Sequence, residues 1–290
     1  MLTTIKYWLL ALRLKTLPAA IAPVAIGLAL AINNAKFHLP AAIITLSCSL
    51  LIQIGTNFAN DYIDAQKGAD TDQRKGPKRM VQAGLISLKH MKIATYLVFL
   101  TAFILGLYLV WLAGWPILAI GIISISCGYL YTAGPYALAY NGLGDLFALI
   151  FFGPVAIGGT YYIQTTTLSM PAIHLGIGIG LLSTALLTVN NIRDINEDIV
   201  VNKKTTVVRF GTRYGQIQYT LCILLSFSIL ALYTIHNLLI IYALVSYAIY
   251  SIHIIRKVWV QTGPQLNNCL ATTGLCLVLY SLIACTAILY

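Results

Sequence analysis

The chain has 290 residues, of which 59% are hydrophobic and only 9% charged. Soluble domains carry about 25% charged residues, so this composition excludes a soluble globular enzyme and identifies an integral membrane protein. The formal net charge of +10 would suit a nucleic-acid partner, but the cations are gathered into a few loops between long apolar runs, which excludes a basic binding face.

In chain order, Trp8-Leu9-Leu10-Ala11-Leu12 followed by Arg13 and Lys15 reads as a short interfacial helix. Residues 16–60 then contain one charge, Lys36, and the runs 93–144, 146–192, 214–255 and 258–290 contain none. Each run exceeds the roughly 20 apolar residues that carry one helix across a bilayer. The ten-residue alternation of a membrane β-barrel is missing from them, so helices are the spanning element. Nine spans are expected, near 17–34, 40–60, 94–113, 115–134, 145–164, 171–191, 216–235, 238–255 and 267–289. The fold class is therefore all-α integral membrane, with residues 1–290 forming a single domain.

Nine spans sort the basic residues by side. Lys6, Arg13 and Lys15 precede the first span. Seven Lys and Arg between Lys67 and Lys92 separate spans two and three, five between Arg193 and Arg213 separate six and seven, and Arg256 and Lys257 separate eight and nine. All fall on one side and only Lys36 falls on the other, an asymmetry that predicts a cytoplasmic N-terminus. The two longest loops, 61–92 and 192–215, share that side, whereas connections such as Ala113-Gly114 on the other side are short. The six cysteines lie scattered in apolar runs and read as small buried hydrophobes. The five histidines show no ligand spacing.

Seven of the eight acidic residues fall into two clusters: Asp61, Asp64, Asp70 and Asp72, then Asp194, Glu197 and Asp198. Residues at i, i+4 and i+7 share one helix face. That rule predicts a stripe of Asn57, Asp61 and Asp64, with Asn60 beside it, at the end of span two. A second stripe of Asn190, Asp194 and Asp198 is expected at the end of span six. Asn57 and Asp61 are separated from Asn190 and Asp194 by the same 133 residues, which reads as a weak parallel repeat with a site between its halves. Ionisable groups beside membrane spans default to function. Oxygen-only ligands suit Mg2+, which takes one or two protein carboxylates and draws further oxygens from substrate phosphates. The expected metal ligands are Asn57, Asp61, Asp64, Asn190, Asp194 and Asp198, with Asp70 or Asp72 in the following loop. Lys67, Arg193, Lys203 and Lys204, with Asn57, Asn60 and Asn190, are expected around a diphosphate. Glu197 points off the stripe, and Asp145 reads as a cap of span five or a partner for a loop cation. The tyrosines around the end of span four, Tyr129, Tyr131, Tyr136 and Tyr140, read as an interfacial belt or as a shield for a cation.

Carboxylates at helix ends above apolar helices suit a lipid-tailed diphosphate, whose head group is held by metal and whose tail lies in the membrane. A cation-coupled transporter is the rival class, but transporters place their ion sites near the bilayer midplane.

Asn60-Asp61-Tyr62-Ile63-Asp64 and Asn190-x-x-x-Asp194-x-x-x-Asp198 resemble the motifs of the UbiA superfamily of membrane aromatic prenyltransferases, and most closely its menaquinone branch. Leu12-Arg-Leu-Lys-Thr-Leu-Pro18, Gln53 to Tyr62, Ala133 to Asp145, Phe151 to Ala156 and Lys203 to Gly211 carry the same resemblance. Many members show NDxxDxxxD, whereas Gly68 occupies the third acidic position here and Asp70 follows two residues later. The resemblance implies nine helices around a central cavity, with the two long loops as a cap, in the bacterial cytoplasmic (inner) membrane. It implies Mg2+-dependent transfer of a polyprenyl chain from polyprenyl diphosphate to 1,4-dihydroxy-2-naphthoate, with loss of carbon dioxide and pyrophosphate. Asp61, Asp64, Asp194 and Asp198 would be catalytic, and Arg13, Lys15 or Tyr131 would meet the acceptor. Other acceptors on the same scaffold are 4-hydroxybenzoate, homogentisate or a tetrapyrrole.

Overall fold

Proline, glycine and short capping side chains punctuate the apolar runs into helices. A computed structural model describes residues 2–68, 76, 78–234 and 238–290, and the expected loop ligands Asp70 and Asp72 lie outside the described residues. Helix α1 (Leu2–Leu12) ends at Arg13, whose φ of 53° turns the chain into a 3-10 turn, Leu14–Thr16. Pro18 then opens α2 (Pro18–Asn33), since proline lacks the N–H that a first turn leaves unpaired. The two segments meet at 53°. His38 caps α3 (Leu39–Gln66), and Ser87 caps α4 (Leu88–Ala113), each side chain accepting from the backbone N–H three residues on. Gly114, at φ 83°, reverses the chain into α5 (Trp115–Leu130).

The second half contains α6 (Gly144–Ile150), α7 (Ala156–Thr165), α8 (Met170–Arg193), α9 (Ile195–Val200) and α10 (Thr206–Phe210). It closes with α11 (Thr212–Thr234), α12 (Leu238–Val260) and α13 (Leu266–Leu289). No strand occurs among the described residues. Seven spans there are long and apolar enough to cross a bilayer, counting α6 and α7 as one, and the bent α1–α2 pair makes an eighth. The remaining expected span, the fourth, is α5, which has only 16 residues, short of the usual requirement.

One sequence expectation is extended and one is corrected. The helix of span two runs on past residue 60 to Gln66, which keeps Asp61 and Asp64 on the helix, as the expected stripe requires. Span five is not one regular helix: a π-helical turn, Phe151–Val155, separates α6 from α7, and Gly153 leaves helical geometry at φ −105°, ψ −110°. The cause is Pro154, which cannot donate to the helix ladder and clashes with the preceding turn. The broken segment lies against the glycine face of α8. A Cβ at Gly153 would stand 2.5 Å from the Gly176 carbonyl oxygen, and one at Gly180 would stand 2.2 Å from the Leu149 carbonyl oxygen. Only glycine permits that approach.

Helix α8 is the most buried span and packs against α6, α11, α13 and the π turn. Ile179, Leu182, Ala185 and Val189 on α8 join Ile157, Ile223, Cys276 and Tyr280 in the largest core. A smaller core of Phe58, Tyr62, Met80 and Met91 ties α3 to α4 and to the segment after residue 77. Outward-facing apolar side chains are numerous, and Trp111 and Trp115 flank the α4–α5 turn with about three-quarters of their surface exposed, as in an aromatic belt.

Gly180→Ala should lower the melting temperature in detergent, at a cost of about 1–3 kcal/mol from overpacking. Gly274→Ala, where a Cβ meets nothing within 4 Å, should leave it unchanged or slightly raised, because alanine is the better helix former. Equal melting curves for the two variants would contradict the close approach.

Candidate active site

A cavity of about 430 Å³ lies between the two halves, lined by residues of α2, α3, α4, α5, α7 and α8. Its body is apolar, with Val24, Leu109, Ile117, Phe151, Val155 and Ile163 among its walls. One end is polar and carries Asn57, Asn60 and Asp64 from α3 and Asn190, Asp194 and Arg193 from the end of α8. Both helices therefore deliver their C-terminal turns to one site. Arg13, Arg79, Tyr131, Tyr140 and Lys203 complete that end.

Asp64 is held from two sides. The Arg79 guanidinium donates to its Oδ2 at 2.9 Å, and the Tyr140 hydroxyl donates to its Oδ1 at 3.0 Å. Lys67, one turn on, donates to the Thr132 carbonyl oxygen at 2.6 Å and lies 4.4 Å from the centre of the Tyr140 ring. Burial lowers the pKa of its amine, opposed by attraction to Asp64. The Thr132 hydroxyl donates to Asn60 Oδ1. Asn57 donates its amide to the Leu12 carbonyl and to the Thr16 hydroxyl, both at 3.0 Å, which ties the α1–α2 bend to α3.

At the second helix end, Arg193 grips its neighbour Asp194 through two bonds of 2.6 Å. A third nitrogen of the same guanidinium donates to Asn267 on α13 at 2.7 Å. Parallel bonds of this kind are the strong form of an arginine–carboxylate pair.

Not every expected residue arrives. Asp61 is only 2% exposed and does not line the cavity. Its two oxygens accept from the backbone N–H groups of Met80 and Val81, each at 3.0 Å. The second stripe breaks at Asp194, whose ψ of 9° ends α8. Asp198 therefore belongs to the separate short helix α9, off the cavity wall, and pairs with Lys203 at 3.2 Å. Burial raises the Asp198 carboxyl to about 6 against the opposing pull of Lys203. Lys15 and Lys204 are exposed and are not among the lining residues, whereas Arg13 and Tyr131 are. Asp145 receives the Thr206 hydroxyl at 2.6 Å and so anchors the start of α10. Arg79 is one of the cations that follow the first acidic cluster in sequence, and the fold singles it out from its neighbours there by bringing it to Asp64. Its signal in the sequence is the return of apolar Met80 and Val81 directly after a run of charges, which marks a loop folding back onto the bundle.

The donor set fits Mg2+ held jointly with a diphosphate better than a preformed metal cage. Among the described residues no three His, Cys, Asp or Glu converge. Instead each helix end offers one carboxylate and one or two carboxamides to the cavity. A hexacoordinate hard cation finds its remaining oxygens in water and substrate.

Fold and site together define a multi-pass membrane protein whose apolar cavity ends in paired carboxylates and arginines. The chain belongs to the UbiA prenyltransferase family, which its sequence matches over residues 20–285. It is 40% identical over 230 residues to a 1,4-dihydroxy-2-naphthoate octaprenyltransferase of Haemophilus influenzae, covering 77% of this chain and 74% of that protein. It is 40% identical over 238 residues to the Escherichia coli protein of the same name, covering 80% and 77%. A UbiA homologue from Archaeoglobus fulgidus, solved with GPP and Mg2+, superposes with a TM-score of 0.71 over 98% of this chain and 99% of that one, at 16% identity.

The position of Asp198 has a pH signature. Its folded pKa of about 6 lies above the ordinary carboxylate value near 4, so between these pH values the folded chain holds a proton that the unfolded chain has lost. The stability it contributes is complete below about pH 4 and declines as pH rises through about 6. Asp198→Asn should flatten the metal-free melting profile between about pH 4 and 6, checked by thermal shift in detergent.

Proposed function

We propose that this protein transfers a polyprenyl chain from polyprenyl diphosphate to 1,4-dihydroxy-2-naphthoate with decarboxylation, giving demethylmenaquinol, with Mg2+ as cofactor. It would do so as a single domain in the bacterial cytoplasmic (inner) membrane, surrounded by lipid, with its N-terminus and the polar cavity end on the cytoplasmic side. The observation that carries this reading is the junction of the two carboxylate–arginine pairs with an apolar chamber in one cavity. It is supported by 40% identity to two enzymes named for this acceptor.

The chamber suits the prenyl tail and the polar end suits its diphosphate. Asp64 and Asp194, with Asn57, Asn60 and Asn190 beside them, would hold Mg2+. Bound there, Mg2+ neutralises charge that builds on the diphosphate as the allylic C–O bond breaks. Arg79 and Arg193 then give up their carboxylates and turn to phosphate oxygens, which arginine holds in a bidentate grip. Lys203, in the cavity wall, would add positive charge, and so would Lys67, which is not a lining residue but lies against the lining Tyr140. The bonding pair leaves with the diphosphate. The electron-rich naphthoate attacks the allylic cation through its carboxyl-bearing carbon. Breaking the bond to the carboxylate returns an electron pair to the ring and releases carbon dioxide. Arg13, half-buried in the cavity wall, would receive the acceptor carboxylate, and Tyr131, in the same wall, would lie against the aromatic rings. Apolar walls exclude water, which protects the cation from hydrolysis.

Asp64→Ala and Asp194→Ala should each reduce prenyl transfer to 1,4-dihydroxy-2-naphthoate by about 100–1,000-fold, the range for loss of one transition-state electrostatic contact. Lys204→Ala should stay within threefold of the parent, since that side chain is exposed and away from the cavity. Product formation by chromatography decides both. Wild-type activity in either aspartate variant would remove the metal assignment.

In cells lacking this protein, lipid quinone analysis should show loss of menaquinone, with restoration by the wild-type chain and not by Asp64→Ala. Unchanged menaquinone would overturn the choice of acceptor.

A further inference from the structure

Asp61 belongs to the same acidic cluster as Asp64, yet the two carboxylates face different tasks. Asp64 lines the cavity and meets Arg79 and Tyr140. Asp61 is sealed at 2% exposure, and each of its oxygens receives one backbone N–H from consecutive residues, Met80 and Val81. Those residues directly follow Arg79. The Met80 side chain is itself buried, in the small core with Phe58 and Tyr62. Its backbone carbonyl accepts from the N–H groups of Leu85 and Ile86, which closes the segment into a compact turn. A carboxylate with both oxygens committed to main-chain donors and no face on the cavity has the geometry of an anchor. Hydrogen bonds to a charged acceptor are the stronger kind in a protein, enough to decide where a short segment rests.

We propose that Asp61 is a positioning residue: it pins the backbone at Met80–Val81 so that Arg79 reaches Asp64 and the donor diphosphate. The metal is then left to Asp64, Asp194 and the carboxamides. This rests on the diphosphate-binding reading above, but it differs from a ligand role for Asp61 in a way that can be measured. An anchor acts only through Arg79. A metal ligand acts on metal affinity and is indifferent to Arg79.

The test uses the full-length protein in detergent, with magnesium and inorganic pyrophosphate as the probe. In metal-free buffer, Asp61→Ala should speed tryptic cleavage after Arg79 at least tenfold, because the bond now lies in an unanchored segment. Asp61→Asn, which keeps one acceptor oxygen, should give an intermediate rate and serves if the alanine variant folds poorly. By calorimetry, Asp61→Ala and Arg79→Ala should weaken magnesium pyrophosphate binding to a similar degree, tenfold or more. The double variant should bind no more weakly than Arg79→Ala alone, as expected for residues acting in series. The magnesium concentration for half-maximal pyrophosphate binding should stay within twofold of the parent in Asp61→Asn, while Asp64→Asn raises it tenfold. Multiplied losses in the double variant, or a tenfold rise in the magnesium requirement of Asp61→Asn with Arg79 still protected, would overturn the proposal. These readouts do not involve the acceptor. Failure to prenylate 1,4-dihydroxy-2-naphthoate would therefore strike the proposed activity and leave the anchor to be judged on its own measurements.

Discussion

Two carboxylates at the head of an apolar chamber require cations, and the fold around the cavity is arranged to provide them. Removing a carboxylate from water costs several kcal/mol unless it is paired and hydrogen-bonded. Asp64 is met by Arg79 from the segment after residue 77 and by Tyr140 from the loop after α5. Asp194 is met by Arg193, which is itself steadied by Asn267 on α13. Satisfying two charges thus recruits the segment after residue 77, the loop after α5 and the last helix. The first pair holds the segment after residue 77 beside the polar end of the cavity, and the apolar packing of Met80 with Phe58 and Tyr62 fastens that segment down.

Much of this architecture is legible in the sequence because the bilayer permits so few solutions. Uncharged runs become helices, and Pro18, Pro40, Ser87 and Gly114 mark where helices begin or turn. The two acidic clusters, joined by asparagines one turn earlier, disclose that one site is shared by two helix ends. What the sequence does not disclose are the places where tertiary contacts overrule helical periodicity. Around α3, Asp61 and Asp64 stand about 60° apart at 100° per residue. A face rule spanning i, i+4 and i+7 cannot separate them, and only the arrival of Met80 and Val81 does. At the end of α8 the rule assumes a continuous helix, but the chain bends at Asp194 and carries Asp198 away to Lys203. The break at Gly153 was likewise hidden, because an apolar run containing one proline still reads as a span until the glycines of α8 are seen to approach it.

The repeat between the two halves is accordingly less symmetric than the sequence offset implies. The offset of 133 residues matches Asn57 to Asn190 and Asp61 to Asp194. In the cavity, Asn57 and Asn190 do correspond, but the counterpart of Asp194 is Asp64, not Asp61. Asp194 is the last residue that α8 can offer before its bend, whereas α3 continues for another turn and can afford a second carboxylate with a separate use. On the proposed reading, the longer helix carries both a ligand and an anchor, and the shorter one carries a ligand with its arginine adjacent.

That asymmetry bears on how charge can move without leaving a carboxylate stranded. Arg193 is buried, is next to Asp194 in the chain and also holds Asn267, so it can swing only a short way from its carboxylate. Arg79 sits on a segment whose position is fixed by backbone contacts, not by its own side chain. It can therefore exchange Asp64 for a phosphate oxygen while its Cα stays where Asp61 holds it. Preorganised donors that need not be rearranged as charge develops are the efficient kind. An arginine carried on a pinned backbone meets that condition, and an arginine on a free loop would spend part of its interaction energy on ordering the loop.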